Sequence, residues 1–587
     1  MAEQTEVGEQ TIISTPRMDI LQALQDDGKI SPDQAEQARR RQRRSRVSAA
    51  QALVELGTVA QEDIYRAVAD SLDLTYINLA DTPPVKEALD AVSVKVVLHY
   101  KFMPISLEKG VLTAAFSDPP AQRERQNLRL LIGLRLKPVI STPAEIQRAI
   151  KQHYGLGAQT VMQLRQDRGF QERVDHVHYQ YQSTDLMEDG GDNASVIHLF
   201  NQFLLEALEM GATDIHIEPF EERVIVRYRI DGLLREIPTP PGLRELHAAV
   251  ISRAKIMANL NIAEHRLPHD GRIRVNIGEE EFDLRVSILP SRFGETLNLR
   301  ILSRQSVFYD LSALGLEPDQ LTIMTKLLEL PHGMVLVTGP TGSGKSTTLY
   351  AALDKTNKRE RKVITVEDPV EYQLEGISQI QMHSEIGLTF ASGLRSILRH
   401  DPDVILVGEI RDSETAEIAI RAALTGHLVL STLHTNDSVG AVNRLVDMGI
   451  DPFLVASSLS ASIAQRLVRR ICPHCKKQDE DIPERIRMEI ADAVVCADED
   501  VEAWHGTGCV ECGQTGYRGR VALYEFFLMN EYIEDMVTRR ASSVDLRQAG
   551  AKQGMKNLRQ DGWNKVMRGV TSISEINRIT KSFDIHY

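Results

Sequence analysis

The chain has 587 residues, too many for one hydrophobic core, so several domains are expected. Its 42% hydrophobic and 26% charged residues describe an ordinary globular protein, and no stretch approaches the ~18 unbroken apolar residues of a membrane span. A net charge of −14 leaves no cationic excess for neutralising nucleic-acid phosphates, and the polar start Met1–Glu6 has no signal-peptide core, so a cytoplasmic protein is expected.

The first part carries a weak repeat. Gln22, Ala23, Leu24 and Gly28 recur 29 positions later as Gln51, Ala52, Leu53 and Gly57. Each unit reads as a short helix, a glycine cap, then a second helix starting near Ser31-Pro32-Asp33 or Gln61-Glu62-Asp63. Two such pairs predict a small helical bundle over 1–73; two units are too few for a solenoid. The basic run Arg39–Arg46 reads either as a solvated helix end or as a contact for an anionic ligand or lipid. From Leu74 the pattern is mixed. Phe102–Leu107 and Val111–Phe116 predict strands around the turn Glu108-Lys109-Gly110, and helices follow to about Tyr154. An α+β domain over 74–155 is expected, then a polar linker over 156–193 ending in Glu188-Asp189-Gly190-Gly191-Asp192.

A second α/β unit is expected over 194–306. Its helix runs Val196–Met210 and is capped by Gly211. Strands are predicted at Asp214–Ile217, Val224–Tyr228, Arg272–Ile277 and Glu281–Ile288, with a turn at Asp231-Gly232. Alternation in Phe282–Ile288 sets Asp283, Arg285 and Ser287 on one face, either plainly solvated or facing a cleft.

The next unit, expected over 307–465, has apolar strand runs at Val335–Val337, Val363–Val366, Val404–Val407 and Leu428–Ser431. Helices between them predict a parallel sheet. After the first run comes Gly339-Pro340-Thr341-Gly342-Ser343-Gly344-Lys345-Ser346, which fits the phosphate-binding pattern G-x-x-x-x-G-K-[ST]. Thr347 then continues into a helix. Backbone N–H groups of such a turn and the helix dipole cradle phosphates, Lys345 meets the β/γ-phosphates, and the Ser346 hydroxyl suits Mg²⁺. Glu409 follows Gly408 at the end of Val404–Val407, placed to orient or deprotonate an attacking water. Gly408 stands where many such enzymes carry a metal-binding Asp. The cluster Glu367-Asp368-Pro369-Val370-Glu371 is a candidate for supporting the metal or water, or else a solvated turn. His427 and His434 flank Leu428–Ser431; His434 is placed to sense the γ-phosphate or hold Glu409.

Four of the five cysteines form two knuckles, Cys472-Pro473-His474-Cys475 and Cys509-Val510-Glu511-Cys512, separated by 33 residues. Paired C-x-x-C in a cytosolic chain reads as a Cys₄ zinc site over 466–520. His474 is not needed as a ligand, and Cys496 has no partner. The remainder, 521–587, reads mainly as helices.

These motifs together resemble the GspE/PilB family of hexameric type II secretion and type IV pilus assembly ATPases. The resemblance rests on Thr213–Pro219, Arg227–Gly232, Arg266–Arg272, the P-loop, Glu367–Glu371, Val407–Asp412 and Gly426–Asn436. The cysteine knuckles resemble the zinc insertion of assembly members. The resemblance implies a multidomain α/β protein. A RecA-like P-loop core with a zinc-binding insertion follows a PAS-like α+β domain and an N-terminal helical and α+β domain. It further implies ATP, Mg²⁺ and Zn²⁺, and Arg285 and Arg300 reaching the phosphates when the PAS-like domain closes. Arg395, Arg399 and Arg444 match further family arginines. The expected assembly is a homohexamer, peripheral at the inner membrane, working with a platform protein and a cytoplasmic docking partner, without nucleic acid.

The N-terminal repeat resembles a segment that binds cyclic di-GMP in some members. Here Asp19-Ile20-Leu21 and Ser48-Ala49-Ala50 replace its Arg-Leu-Gly openings, so binding in the usual way is not expected. A DNA-uptake pseudopilus motor is the alternative within the class. A nucleic-acid translocase and a nucleotide-gated scaffold without turnover are the alternatives outside it.

Overall fold

The computed structural model describes residues 20–45, 47–57, 59–118, 122–155, 184–185, 196–277, 280–303, 310–357 and 360–580. The chain divides into two compact units, Met1–Leu302 and Ser303–Tyr587.

The first unit opens with four helices, α1 (Ile20–Asp26), α2 (Pro32–Ser45), α3 (Ala49–Leu56) and α4 (Gln61–Ser71). Gly28 and Gly57 take φ of 68° and 64° after the first helix of each pair, a conformation costly for any residue with a Cβ. Leu21, Leu24, Leu53 and Ile64 fill the bundle's core. Two short helices, α5 (Lys86–Asp90) and α6 (Val94–Tyr100), lead to a three-stranded sheet of β1 (Phe102–Glu108), β2 (Val111–Phe116) and β3 (Arg135–Ile140). Helices α7 (Gln122–Ile132) and α8 (Pro143–Tyr154) complete this domain. Asp19 of the repeat lies outside the described residues, as does the expected linker except for β4 (Thr184–Asp185), which adds to the next sheet beside β8.

That sheet runs β4-β8-β9-β10-β5-β6-β7. Its strands are β5 (Ala212–Pro219), β6 (Val224–Ile230), β7 (Leu233–Ile237), β8 (His269–Ile277), β9 (Glu280–Ser291) and β10 (Gly294–Ser303). Asp231 and Gly232, at φ 49° and 86°, make the two-residue turn between β6 and β7 that a right-twisted hairpin favours. Helices Val196–Glu209 and Leu243–Met257 cover one face, and the Tyr228 hydroxyl donates to the Phe203 carbonyl at 2.9 Å to hold the first helix in place. Phe282, Leu284, Val286 and Ile288 of β9 point into this core, so Asp283, Arg285 and Ser287 share the opposite face, half-buried.

The second unit is a seven-stranded sheet of order β13-β12-β14-β15-β11-β16-β19. Its strands are β11 (Gly333–Thr338), β12 (Val363–Glu367), β13 (Ser378–Gln381), β14 (Val404–Val407), β15 (Leu428–Leu433), β16 (Leu459–Ile471) and β19 (Tyr517–Leu528). All neighbours are parallel except the antiparallel pair β16–β19. β11, β14 and β15 are buried along their whole length, as strands covered on both faces must be. The stretch past the knuckles therefore begins as a strand, β19, before the helices Glu531–Thr538, Ser543–Lys552, Leu558–Met567 and Ile573–Ile579. Likewise β16 runs on through 466–471. The cysteine region, with its small pair β17 (Lys476–Gln478) and β18 (Trp504–Gly506), is carried at the tip of the β16–β19 hairpin.

Candidate active site and metal centre

The P-loop leaves the C-terminal end of β11 and runs into the helix Lys345–Thr356. Gly339 and Gly344 take φ of 151° and 90°, and both face strand β16. A Cβ on Gly339 would lie 2.6 Å from the Gln465 carbonyl, and one on Gly344 would lie 2.7 Å from Nε2 of Gln465. Only glycine fits these approaches. Lys345 is buried; its Nζ donates to the carbonyls of Gly339 at 2.9 Å and Pro340 at 3.1 Å. Burial pushes its pKa below the ordinary lysine range, with Glu409 opposing and Arg466 adding to the shift. Ser346 and Thr341 are exposed, and the buried Ser343 hydroxyl has no hydrogen-bond partner among the described residues. The turn thus offers N–H groups, one ammonium and the exposed Ser346 hydroxyl, a donor set that fits a polyphosphate with Mg²⁺.

Glu409 stands at the same edge of the sheet, beyond β14, with β15 between it and the P-loop strand. It is clamped there from β15. Ser431 Oγ donates to the Val407 carbonyl at 2.7 Å and Thr432 Oγ1 to the Gly408 carbonyl at 2.8 Å. Arg411 pairs with Oε1 of Glu409, and His434 Nε2 lies 3.2 Å from Oε2. Burial of Glu409 would raise its pKa, but the hydrogen bonds and charges of Arg411 and His434 outweigh it and hold the carboxylate below its usual range. Glu409 is therefore ionised at neutral pH.

Gly408 has a packing reason: a Cβ there would sit 3.3 Å from the Val366 carbonyl and 3.4 Å from the Glu367 Cα. A side chain at this position meets β12 rather than the phosphates. Glu367 is buried and both its oxygens are taken, by Tyr350 on one side and by Thr365 and Gln379 on the other. It braces the P-loop helix against β12 and is not a free metal ligand. Asp368 is exposed; the hydrogen bond that Arg411 donates to Glu409 raises the Arg411 pKa most, burial opposes it, and the charge of Asp368 adds to the rise. His427 lies at the start of β15, the opposite edge, bonded to the Ala422 carbonyl at 2.9 Å, so it is structural. Arg395 pairs with Glu414, and Arg399 donates to the Arg395 carbonyl at 2.9 Å.

Two residues of the site escaped the sequence reading. Gln465 of β16 accepts a hydrogen bond from Thr348 at 2.9 Å and lies against Gly339 and Gly344, so the hairpin that carries the cysteines also forms the floor of the P-loop. Arg466 donates to the carbonyl and Oδ1 of Asn436 at 3.1 and 3.2 Å, while its Nη1 is buried without a partner. The signal is the adjacent Gln465-Arg466 inside the mainly apolar run Ala461–Val468.

In the first unit, Arg300 and Asp214 are register partners on β10 and β5, and their side chains meet at 3.0 Å. Arg285 of β9 lies directly across from Arg272 of β8. Like charges so placed repel, which makes Arg272 a further residue of interest on that face.

Sγ atoms of Cys472, Cys475, Cys509 and Cys512 all lie within 4.8 Å of one another. Three separations are 3.7, 3.9 and 3.7 Å. A tetrahedron of thiolates about 2.3 Å from zinc has edges of about 3.8 Å. Backbone N–H groups of Cys509 and Gly516 each donate to Cys512 Sγ at 3.2 Å, as they would to a thiolate. His474 is exposed and outside the cluster. The four cysteines can hold a metal ion.

The family model described as "Type II/IV secretion system protein" matches residues 189–578. The chain belongs to that family. The match spans the end of the first unit and nearly all of the second, which carries the P-loop. A second model, the "MshEN domain", matches residues 72–160, the α+β part rather than the helical repeat before it. Among relatives, the type IV pilus assembly ATPase PilB of Myxococcus xanthus is 40% identical over 93% of this chain and 96% of its own length. Type II secretion system protein E of Xanthomonas campestris is 41% identical over 96% and 98%. A solved structure, the pilus retraction motor PilT with bound ADP, is 27% identical, covering 65% of this chain and 96% of that one, with a TM-score of 0.43.

Proposed function

We propose that this secretion-family ATPase is the motor of a six-membered ring that drives assembly of a pseudopilus or a type IV pilus through an inner-membrane platform protein. One observation carries the reading. Glu409 is held ionised at the same sheet edge as the P-loop, gripped by Arg411 and His434. In this reading the P-loop N–H groups bind the phosphates of ATP, and Lys345 turns from the Gly339 and Pro340 carbonyls to the β/γ-phosphates. Mg²⁺, held in part by Ser346, would neutralise charge on the phosphates. Glu409 orients the attacking water and accepts its proton, His434 fixes the carboxylate, and Glu367 keeps the P-loop helix in place. Arg285 and Arg300, joined by Arg272, meet charge developing on the γ-phosphoryl when the PAS-like domain over 194–306 closes. Arg300 must then leave Asp214, which makes closure an exchange of one ion pair for another.

The cysteine cluster binds one Zn²⁺ per chain, with a structural role: it pins the hairpin that floors the P-loop. The protein works at the cytoplasmic face of the inner membrane. Relatives named for pilus assembly and for type II secretion stand at 40% and 41% identity, so similarity does not choose between the two machines. The test is a chromosomal Glu409→Gln allele in the source bacterium. Loss of surface pili, or of secreted enzymes, with the protein level unchanged identifies the machine. Retention of both overturns the proposal.

A further inference from the structure

Helix α7 and strand β3 form a corner that the motor reading does not use. α7 packs into its domain through Leu128, which is fully buried. The leucines that follow do the opposite: Leu130 is 83% exposed and Leu131 62% exposed. They stand in the last turn of α7; Gly133, at φ 74°, then donates its N–H to the Arg129 carbonyl at 2.9 Å and turns the chain into β3. β3 is an edge strand of its sheet.

Exposed cations flank the leucines. Arg125 and Arg129 lie one turn apart on α7, and Arg135 and Lys137 share one face at the start of β3. None of the four has an ion pair among the described residues. From Arg125 to Ala144 the sequence has no acidic residue, within a chain of net charge −14. Two adjacent, largely exposed leucines cost free energy in water unless something covers them. A cover that accepts both a shallow apolar tip and unpaired cations is an anionic bilayer surface: phosphates meet the cations, and the leucines reach the acyl boundary. No helix among the described residues is long and apolar enough to cross a membrane, so such a contact lies on the surface.

We propose that the α7–β3 corner is a direct lipid-binding site, with Leu130 and Leu131 inserted at the headgroup boundary of an anionic bilayer and Arg125, Arg129, Arg135 and Lys137 on its phosphates. The contact is independent of any protein partner. Each cation near such a surface contributes roughly fivefold in partitioning.

Flotation of the full chain with vesicles tests this, comparing phosphatidylcholine alone with phosphatidylcholine containing a third phosphatidylglycerol. The parent floats with the anionic vesicles only, and less at high salt. Leu130→Ser/Leu131→Ser loses most of the bound fraction. Arg129→Glu/Arg135→Glu weakens partitioning by roughly thirtyfold or more. All four residues are exposed and belong to the first unit, while the P-loop belongs to the second, so basal ATPase activity stays at the parent level in both variants and reports their folding. A parent that ignores anionic vesicles overturns the proposal and leaves a protein as the partner of this corner. Variants that float like the parent overturn it too. So does a change of oligomer size in the leucine variant, which would show that a second copy covers the patch.

Discussion

Glu409→Gln separates the chemistry of this site from its architecture. The substitution keeps shape and removes charge, so the pairs with Arg411 and His434 become neutral hydrogen bonds. Those partners are 61% and 49% exposed, and water screens them. The loss to folding is therefore small, about 1 kcal/mol, or a few degrees in melting temperature for a domain of this size. The loss to catalysis is larger. A positioned base contributes roughly 10²- to 10⁴-fold, about 3–5 kcal/mol of barrier. Nothing among the hydrogen bonds of the P-loop involves Glu409, so nucleotide affinity should change little. Steady-state phosphate release should thus fall at least 100-fold, roughly the lower bound for a base, while the Kd for a fluorescent ATP analogue stays within a few-fold. A variant that turns over within twofold of the parent would refute the assignment. Equal losses in kcat and affinity would refute the division between Glu409 and the P-loop.

Lys345→Ala should act on binding instead, weakening ATP by roughly 10- to 100-fold in calorimetry, the worth of a charge-assisted hydrogen bond to phosphate. Gly339→Ala places a Cβ against the Gln465 carbonyl and the Ser343 hydroxyl, both at 2.6 Å, and should abolish ATP binding; Gly342→Ala, with nothing within 4 Å, should cost only about 1 kcal/mol of backbone strain in thermal melts. Anaerobically purified protein should contain one zinc per chain by elemental analysis, and Cys472→Ser should lose it; metal-free parent protein would exclude the site. Glu575 offers a pH test. Burial opposes its charge, yet hydrogen bonds from Arg578 and Arg469 outweigh burial and hold its pKa at about 2 against an ordinary 4.5. A depressed folded pKa stabilises above the unfolded value and is lost as pH falls from about 5 towards 2. Glu575→Gln should therefore cost about 3 kcal/mol at pH 7 and flatten that acid limb in denaturant titrations; an unchanged limb would show that other groups carry it.

What could be read from the sequence was local. The P-loop is legible because strand, glycines, lysine and helix are contiguous, and the left-handed glycines answer to contacts made within a few residues or to one adjacent strand. The cysteine knuckles are legible because ligand spacing is a property of short turns. Core strands β11, β12, β14 and β15 are mostly apolar and buried along their whole length, as strands covered on both faces are. The harder parts depended on pairings far apart in the chain. β19 is hard to tell from the helical tail although Val521–Leu528 is mostly apolar, because its partner β16 lies beyond the cysteine insertion. Its single acid is Glu525. It is buried, and its carboxylate accepts from the backbone N–H of Ser438 at 2.9 Å.

That bond also explains what the hairpin does for the site. Glu525 of β19 holds the segment after His434, Gln465 of β16 lies under Gly339 and Gly344, and Tyr524 reaches Thr348 at 3.3 Å. The same two strands end at Cys472 and lead back from Cys512. P-loop floor, His434 loop and cysteine cluster are therefore three points on one rigid antiparallel pair. A metal that fixes the tip of that pair limits how far its base can shift. Metal at the cysteine cluster should then matter to nucleotide handling through geometry alone, without any ligand atom near the phosphates. The same reasoning gives Glu367 its place: a buried carboxylate with every oxygen occupied cannot visit the metal, but it can stop the P-loop helix from sliding along β12. Around this sheet edge, Ser431, Thr432, Gln465 and Glu525, which hold the Glu409 turn and the P-loop in place, are buried and drawn from distant parts of the chain.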